Sequence, residues 1–127
     1  MRKIILFFIV LLFLTGFDIV NPNQEYTYEQ MVHDLKKVHE TYPEITKLRK
    51  IGHTMFNRDI WAIKLGTGNN SILINASHHA REWMTTNLVM EMLDVYAATY
   101  ANGNDIYGYD SSILDDVSIW FVPMVNP

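Results

Sequence analysis

SILINASHHAREW, residues 71–83, is the stretch on which the fold turns. Ser71 to Ser77 is a short apolar run of the kind that forms a strand buried on both faces. His78 and His79 stand where that strand ends. From about Glu82 to Tyr100 the spacing predicts a helix, because Met84, Leu88, Met92, Tyr96 and Tyr100 step by four while Asn87, Glu91 and Asp94 line another face. Asn102 to Ser112 is rich in Asn, Gly and Asp and reads as a loop. Val117 to Val125 is again strongly apolar. The result is a strand, helix, strand unit of an α/β protein, with its two strands parallel and joined right-handedly. In open α/β sheets binding sites gather outside the carboxyl ends of the strands, and His78, His79 and Asn126 all fall at such ends.

Working back toward the N-terminus, Tyr28, Met31, Leu35, Val38 and Tyr42 recur at spacings of three and four, with charged residues between them. This describes an amphipathic helix, opened by the capping-box pair Thr27 and Gln30 and stopped by Pro43. Ile45 to Gly52 and Asp59 to Leu65 are two extended stretches around a polar connection holding Asn57 and Arg58, a pattern for an antiparallel hairpin. Gly66 to Asn70 is a turn. No internal repeat is present.

At the start of the chain, Arg2 and Lys3 precede an unbroken apolar run from Ile4 to Leu14, then Thr15, Gly16 and Phe17. That is the layout of a secretory leader, and the run meets Asp18 too soon to span a bilayer as a helix. We therefore expect a leader over residues 1–22, one domain over 23–127, and a secreted product with no stable membrane association after the leader is removed. Removal takes Arg2 and Lys3 from the ten basic residues and Asp18 from the fourteen acidic ones, leaving a net charge of −5. A chain of that charge is repelled by a polyanion, so no nucleic-acid partner is expected. With no cysteine, export is not used to build disulfides, which suits a bacterial secreted enzyme.

His79-Ala80-Arg81-Glu82 sets an imidazole and a carboxylate three residues apart, so at a helix start both side chains project from one side. Imidazole nitrogen and carboxylate oxygen suit zinc, and a catalytic zinc takes three protein ligands and leaves a position for water. The spacing alone is unspecific, since it equally describes a surface ion pair. His78, four residues from Glu82, could also share that face, and spacing does not choose between the two histidines.

The run Ser77-His78-His79-Ala80-Arg81-Glu82-Trp83 resembles the Gly-x-His-x-Arg-Glu-Trp signature of zinc carboxypeptidases of the A and B type. Ile51-Gly52 with Asn57-Arg58-Asp59-Ile60 is similar to that family's first hairpin. Phe121 to Pro127 is similar to the strand leading into its Asn-Pro-Asp-Gly turn. The resemblance covers residues 26–127 and implies the N-terminal portion of the mixed-sheet, helix-covered α/β/α carboxypeptidase fold. It further implies that His79 and Glu82 are the first two ligands of one Zn²⁺ and that Arg81 binds substrate. A planar guanidinium pairs bidentately with a carboxylate, which gives Arg81 chemical sense beside a peptide.

In the family, the third zinc ligand, the arginine that holds the terminal carboxylate and the glutamate general base lie beyond the position of Pro127. The resemblance therefore implies a truncated chain that holds a half-site, lacks a general base of its own, binds zinc weakly and does not turn over. The implied activity is release of C-terminal residues from peptides by metal-activated water. One alternative is a γ-D-glutamyl-diamino-acid peptidase of the same fold, acting on cell-wall peptides. Another is a non-catalytic binding remnant.

Other features have plainer readings. His33, His39 and His53 precede the motif and read as solvated surface residues. Asp105, Asp110, Asp115 and Asp116 cluster around a loop that lacks EF-hand ligand spacing. Trp61, Trp83 and Trp120 read as core or rim packing. Asn69 and Asn75 match the glycosylation acceptor pattern, the second inside a strand expected to be buried.

Overall fold

The computed structural model describes residues 18–127, so most of the expected leader lies outside the described residues. Helix α1 spans Tyr28–Thr41. Its start is fixed reciprocally: Thr27 Oγ1 accepts the Gln30 N–H (3.2 Å) and Gln30 Oε1 accepts the Thr27 N–H (3.0 Å). Met31, Leu35 and Val38 face inward, as their spacing predicts. The helix stops two residues before Pro43, which cannot extend it.

Strands β1 (Thr46–His53) and β2 (Asp59–Leu65) form the expected antiparallel hairpin, with a register shift between Lys50 and Gly52. Strand β3 spans Asn70–Asn75, helix α2 Trp83–Ala101, the short helix α3 Ile113–Asp116, and strand β4 Val117–Val122. The sheet order is β1-β2-β4-β3, with β4 antiparallel to β2 and parallel to β3. The crossover from β3 through α2 to β4 therefore joins parallel strands, and the sheet is mixed.

Leu35, Val38, Ile63, Leu65, Met90, Leu93, Ala97 and Phe121 have no accessible surface. They come from α1, β2, α2 and β4 and make one core with both helices. Each large side chain of that set stabilises the fold by about 1.5–3 kcal/mol relative to leaving it in water.

Three expectations are corrected. Among the described residues β3 is an outer strand of the sheet and is not buried on both faces, with Ile72 53% and Leu73 62% exposed. The strand with the buried character is β4, which runs between two neighbours. In α2 the inward residues are Thr86, Val89, Met90, Leu93, Asp94 and Ala97, whereas Met84 and Leu88 of the expected face are exposed. This helix is apolar around most of its circumference, so its period alone could not single out the packed side. Finally, β4 ends at Val122 rather than Val125, because Pro123 has no N–H to give the ladder.

Candidate metal and substrate site

The site is built where the chain leaves β3. Beyond Asn75 and Val122 the two parallel strands stop, but their extensions stay joined. Ala76 N–H donates to Val122 O (3.0 Å), Val125 N–H to Ala76 O (3.0 Å) and Asn126 N–H to Ser77 O (3.2 Å). Ser77 then takes a left-handed backbone conformation, φ 51°, that turns the chain toward α2. Its N–H donates to Thr85 Oγ1 (2.9 Å), whose own hydroxyl donates to Glu82 O (2.7 Å). Thr86, with no accessible surface, donates from Oγ1 to Pro123 O (2.7 Å) and meets Ser77 Oγ at 2.7 Å. The Ser77 hydroxyl thus lies within reach of two acceptors, Thr86 Oγ1 and the Glu82 carbonyl (3.3 Å). The first turn of α2 is thus tied to both strand ends.

On this support, residues 79–82 make a tight turn, closed by Glu82 N–H to His79 O at 3.0 Å. The pair lies just before α2, not in its first turn as the spacing suggested, since Trp83 is the first helical residue. His79 Nδ1 lies 2.7 Å from Glu82 Oε1, and the His79 N–H donates to Glu82 Oε2 at 3.2 Å. These two hydrogen bonds favour the ionised form, and the side-chain bond from His79 is the chief reason the Glu82 carboxyl sits below its ordinary pKa. Both side chains open to solvent, at 81% and 42% exposure, so an ion can approach them.

The two histidines differ in their partners. His78 Nε2 turns to Asn75 Oδ1 (2.9 Å), and the His78 carbonyl accepts from Asn126 Nδ2 (3.3 Å). His79 alone pairs with Glu82. Arg81 is exposed at the apex of the turn, next to the pair. One imidazole nitrogen and one carboxylate oxygen already converge, which fits two of the three protein ligands of a catalytic zinc. Among the described residues no group of three or more His, Cys, Asp or Glu side chains comes together.

Elsewhere, His39 departs from its surface reading: it is half-buried, with Nδ1 2.8 Å from Thr46 Oγ1, and links the end of α1 to β1. His33 and His53 are exposed. The acidic loop serves local structure, with Asp110 accepting the Ser112 N–H (2.9 Å) and Asp115 accepting from the Tyr100 hydroxyl. Asn75 is exposed rather than buried. Among the described residues no helix is long and apolar enough to cross a membrane. Sequence reasoning missed Ser77, Thr85 and Thr86 as supports of the site. The adjacent threonines at the start of a helix were the signal, since hydroxyls there serve caps and strand ends.

The zinc carboxypeptidase family profile matches residues 31–127. The chain is 36% identical over 110 residues to γ-D-glutamyl-L-diamino acid endopeptidase 1 of Lysinibacillus sphaericus, covering 86% of this chain and 28% of that protein. It is 26% identical over 108 residues to a zinc carboxypeptidase of Saccharothrix mutabilis subsp. capreolus, covering 80% of this chain and 24% of that protein. The metallo-carboxypeptidase of Burkholderia cenocepacia superposes with a TM-score of 0.67 at 24% identity, over 80% of this chain and 27% of that one. Bovine thrombin-activatable fibrinolysis inhibitor superposes with a TM-score of 0.69 at 18% identity, over 83% and 32%. These two likenesses concern the fold. The chain spans about a quarter of the length of the curated relatives it matches.

Proposed function

This chain belongs to the zinc carboxypeptidase family, and from that premise we propose that it supplies the first two zinc ligands, His79 and Glu82, and a substrate-binding arginine, Arg81, to the active site of an exported zinc peptidase. The observation that carries the reading is the 2.7 Å approach of His79 Nδ1 to Glu82 Oε1 on a turn at the carboxyl end of β3.

When bound, zinc polarises the scissile carbonyl and lowers the pKa of a coordinated water toward about 7. The chain's own part is to hold and to orient. His79 and Glu82 present one nitrogen and one oxygen on the solvent side of the turn. Ser77, Thr85 and Thr86 fix that turn against the strand ends, so the ligands move little as substrate arrives. Arg81 offers parallel N–H donors to a carboxylate or carbonyl of the peptide. The reaction is hydrolysis of a peptide bond, with release of C-terminal residues as the first reading.

The 36% identity to the Lysinibacillus endopeptidase favours a second reading, a γ-D-glutamyl-diamino-acid bond in a cell-wall peptide. Either substrate is a peptide bearing carboxylates, consistent with an exposed arginine beside the metal ligands.

The test replaces the corresponding segment of the Lysinibacillus enzyme with residues 26–127. The chimera is assayed with zinc on a peptide with a free C-terminus and on a γ-D-glutamyl-diamino-acid peptide. We expect chelator-sensitive hydrolysis, lost in His79→Ala and Glu82→Ala, and a raised KM in Arg81→Ala. A folded chimera whose activity survives His79→Ala would reject the ligand assignment.

A further inference from the structure

Between the apolar run and α1, the chain is fastened by side chains that the metal site does not use. Asp94, on the inner side of α2 and 7% exposed, accepts the backbone N–H groups of Ile19 (2.9 Å) and Val20 (3.0 Å) on Oδ2. Two turns earlier, Asn87 Nδ2 donates to the carbonyls of Pro22 (3.1 Å) and Gln24. From α1, Asp34 accepts the Tyr26 hydroxyl (2.7 Å). Val20 and Tyr26 close over the core at 4% and 5% exposure. Residues 19–26 are therefore a strap across both helices.

A leader ending at residue 22 would remove Ile19 and Val20. The Asp94 carboxylate would then lose both N–H donors, two hydrogen bonds to a carboxylate. Asn87 would lose the Pro22 carbonyl, and the core would open at Val20. Asp and Asn at these two positions of α2 suit a mature chain that keeps its strap. We infer that a leader peptidase cuts this chain upstream of Ile19, between Thr15 and Ile19, so that the strap stays in the mature protein. This boundary rests on the export reading above. Water is added across one peptide bond, leaving a carboxylate on the leader and an α-amino group on the mature chain.

The experiment expresses the full-length chain with its own leader in an exporting bacterial host and reads intact mass in the medium and cell fractions. The expected N-terminus lies between Gly16 and Ile19. A start at Asn21 or later overturns the boundary while leaving the export reading intact. A product still carrying Met1 overturns the export reading, and the boundary with it. Hydrogen exchange on the mature protein supplies a readout independent of export. In Asp94→Ala the Ile19 and Val20 amides should exchange about tenfold faster or more, with β4 amides unchanged. Unchanged rates at Ile19 and Val20 would overturn the strap. If Asp94→Ala perturbs β4 as well, Asn87→Ala is the milder variant, with the same acceleration expected around Pro22 and Gln24.

Discussion

At the residue scale, Thr86 ties the first turn of α2 to both strand ends. Thr86 sits without solvent contact and joins Ser77 to the Pro123 carbonyl. Thr86→Val keeps the shape and leaves that carbonyl without its donor. The expected loss is about 1–3 kcal/mol of stability, read as a lower denaturation midpoint. Asp94 gives a prediction in pH. Burial is the main cause that lifts its carboxyl above the ordinary value, aided by Asp18 and Asp34, against the pull of the two backbone N–H donors. A carboxyl whose folded pKa is raised favours the fold below its unfolded pKa of about 3.9, and that favour is lost as pH rises through the folded value. Asp94→Asn retains an acceptor oxygen but carries no such dependence. Chemical denaturation of both proteins at pH 4 and pH 7 should show the variant gaining on the parent as pH rises. A gap that is constant, or that moves the other way, would refute the assignment.

At the element scale, the connection from β2 to β3 admits almost no side chain at Gly68. A Cβ there would lie 2.2–2.3 Å from the backbone of Asp116 and Val117. Gly68→Ala must therefore displace the start of β4, and we expect a loss of about 3 kcal/mol, measurable as a lowered midpoint in urea. The legibility of the elements follows from the same local physics. Capping chemistry and a one-sided apolar stripe made α1 readable from Thr27 to Pro43. Alternation around Asn57 and Arg58 did the same for the hairpin. The inner face of α2 was not readable, because Met84 and Leu88 are as apolar as Val89 and Leu93, and tertiary packing alone separates them. The exposure of β3 was hidden for a related reason: an apolar run states what a strand prefers, while sheet order states what it receives. At the site, His79, Arg81 and Glu82 stood out through a familiar motif. What the sequence did not show is that the two histidines have different partners, His78 meeting Asn75 and His79 meeting Glu82. The strap could not be seen at all, since its hold depends on Asp94, 75 residues away in sequence.

At the scale of the whole molecule, one face of the sheet carries both helices. The other is a shallow apolar hollow lined by Arg49, Ile51, Leu73 and Trp120 among others. Ile72 and Leu73 lie on an outer strand of the sheet, an arrangement that invites strand pairing between copies. Leu73→Lys places a charge on that strand and should reduce concentration-dependent association, followed by light scattering; unchanged association would locate the contact elsewhere. The proposed function requires that His79 and Glu82 act together on one ion. Calorimetric titration of zinc into the 127-residue chain and into His79→Ala tests it most directly. We expect weak binding of one zinc per chain that disappears in His79→Ala; binding that is unchanged in the variant, or absent from the parent, would contradict the shared-ion reading.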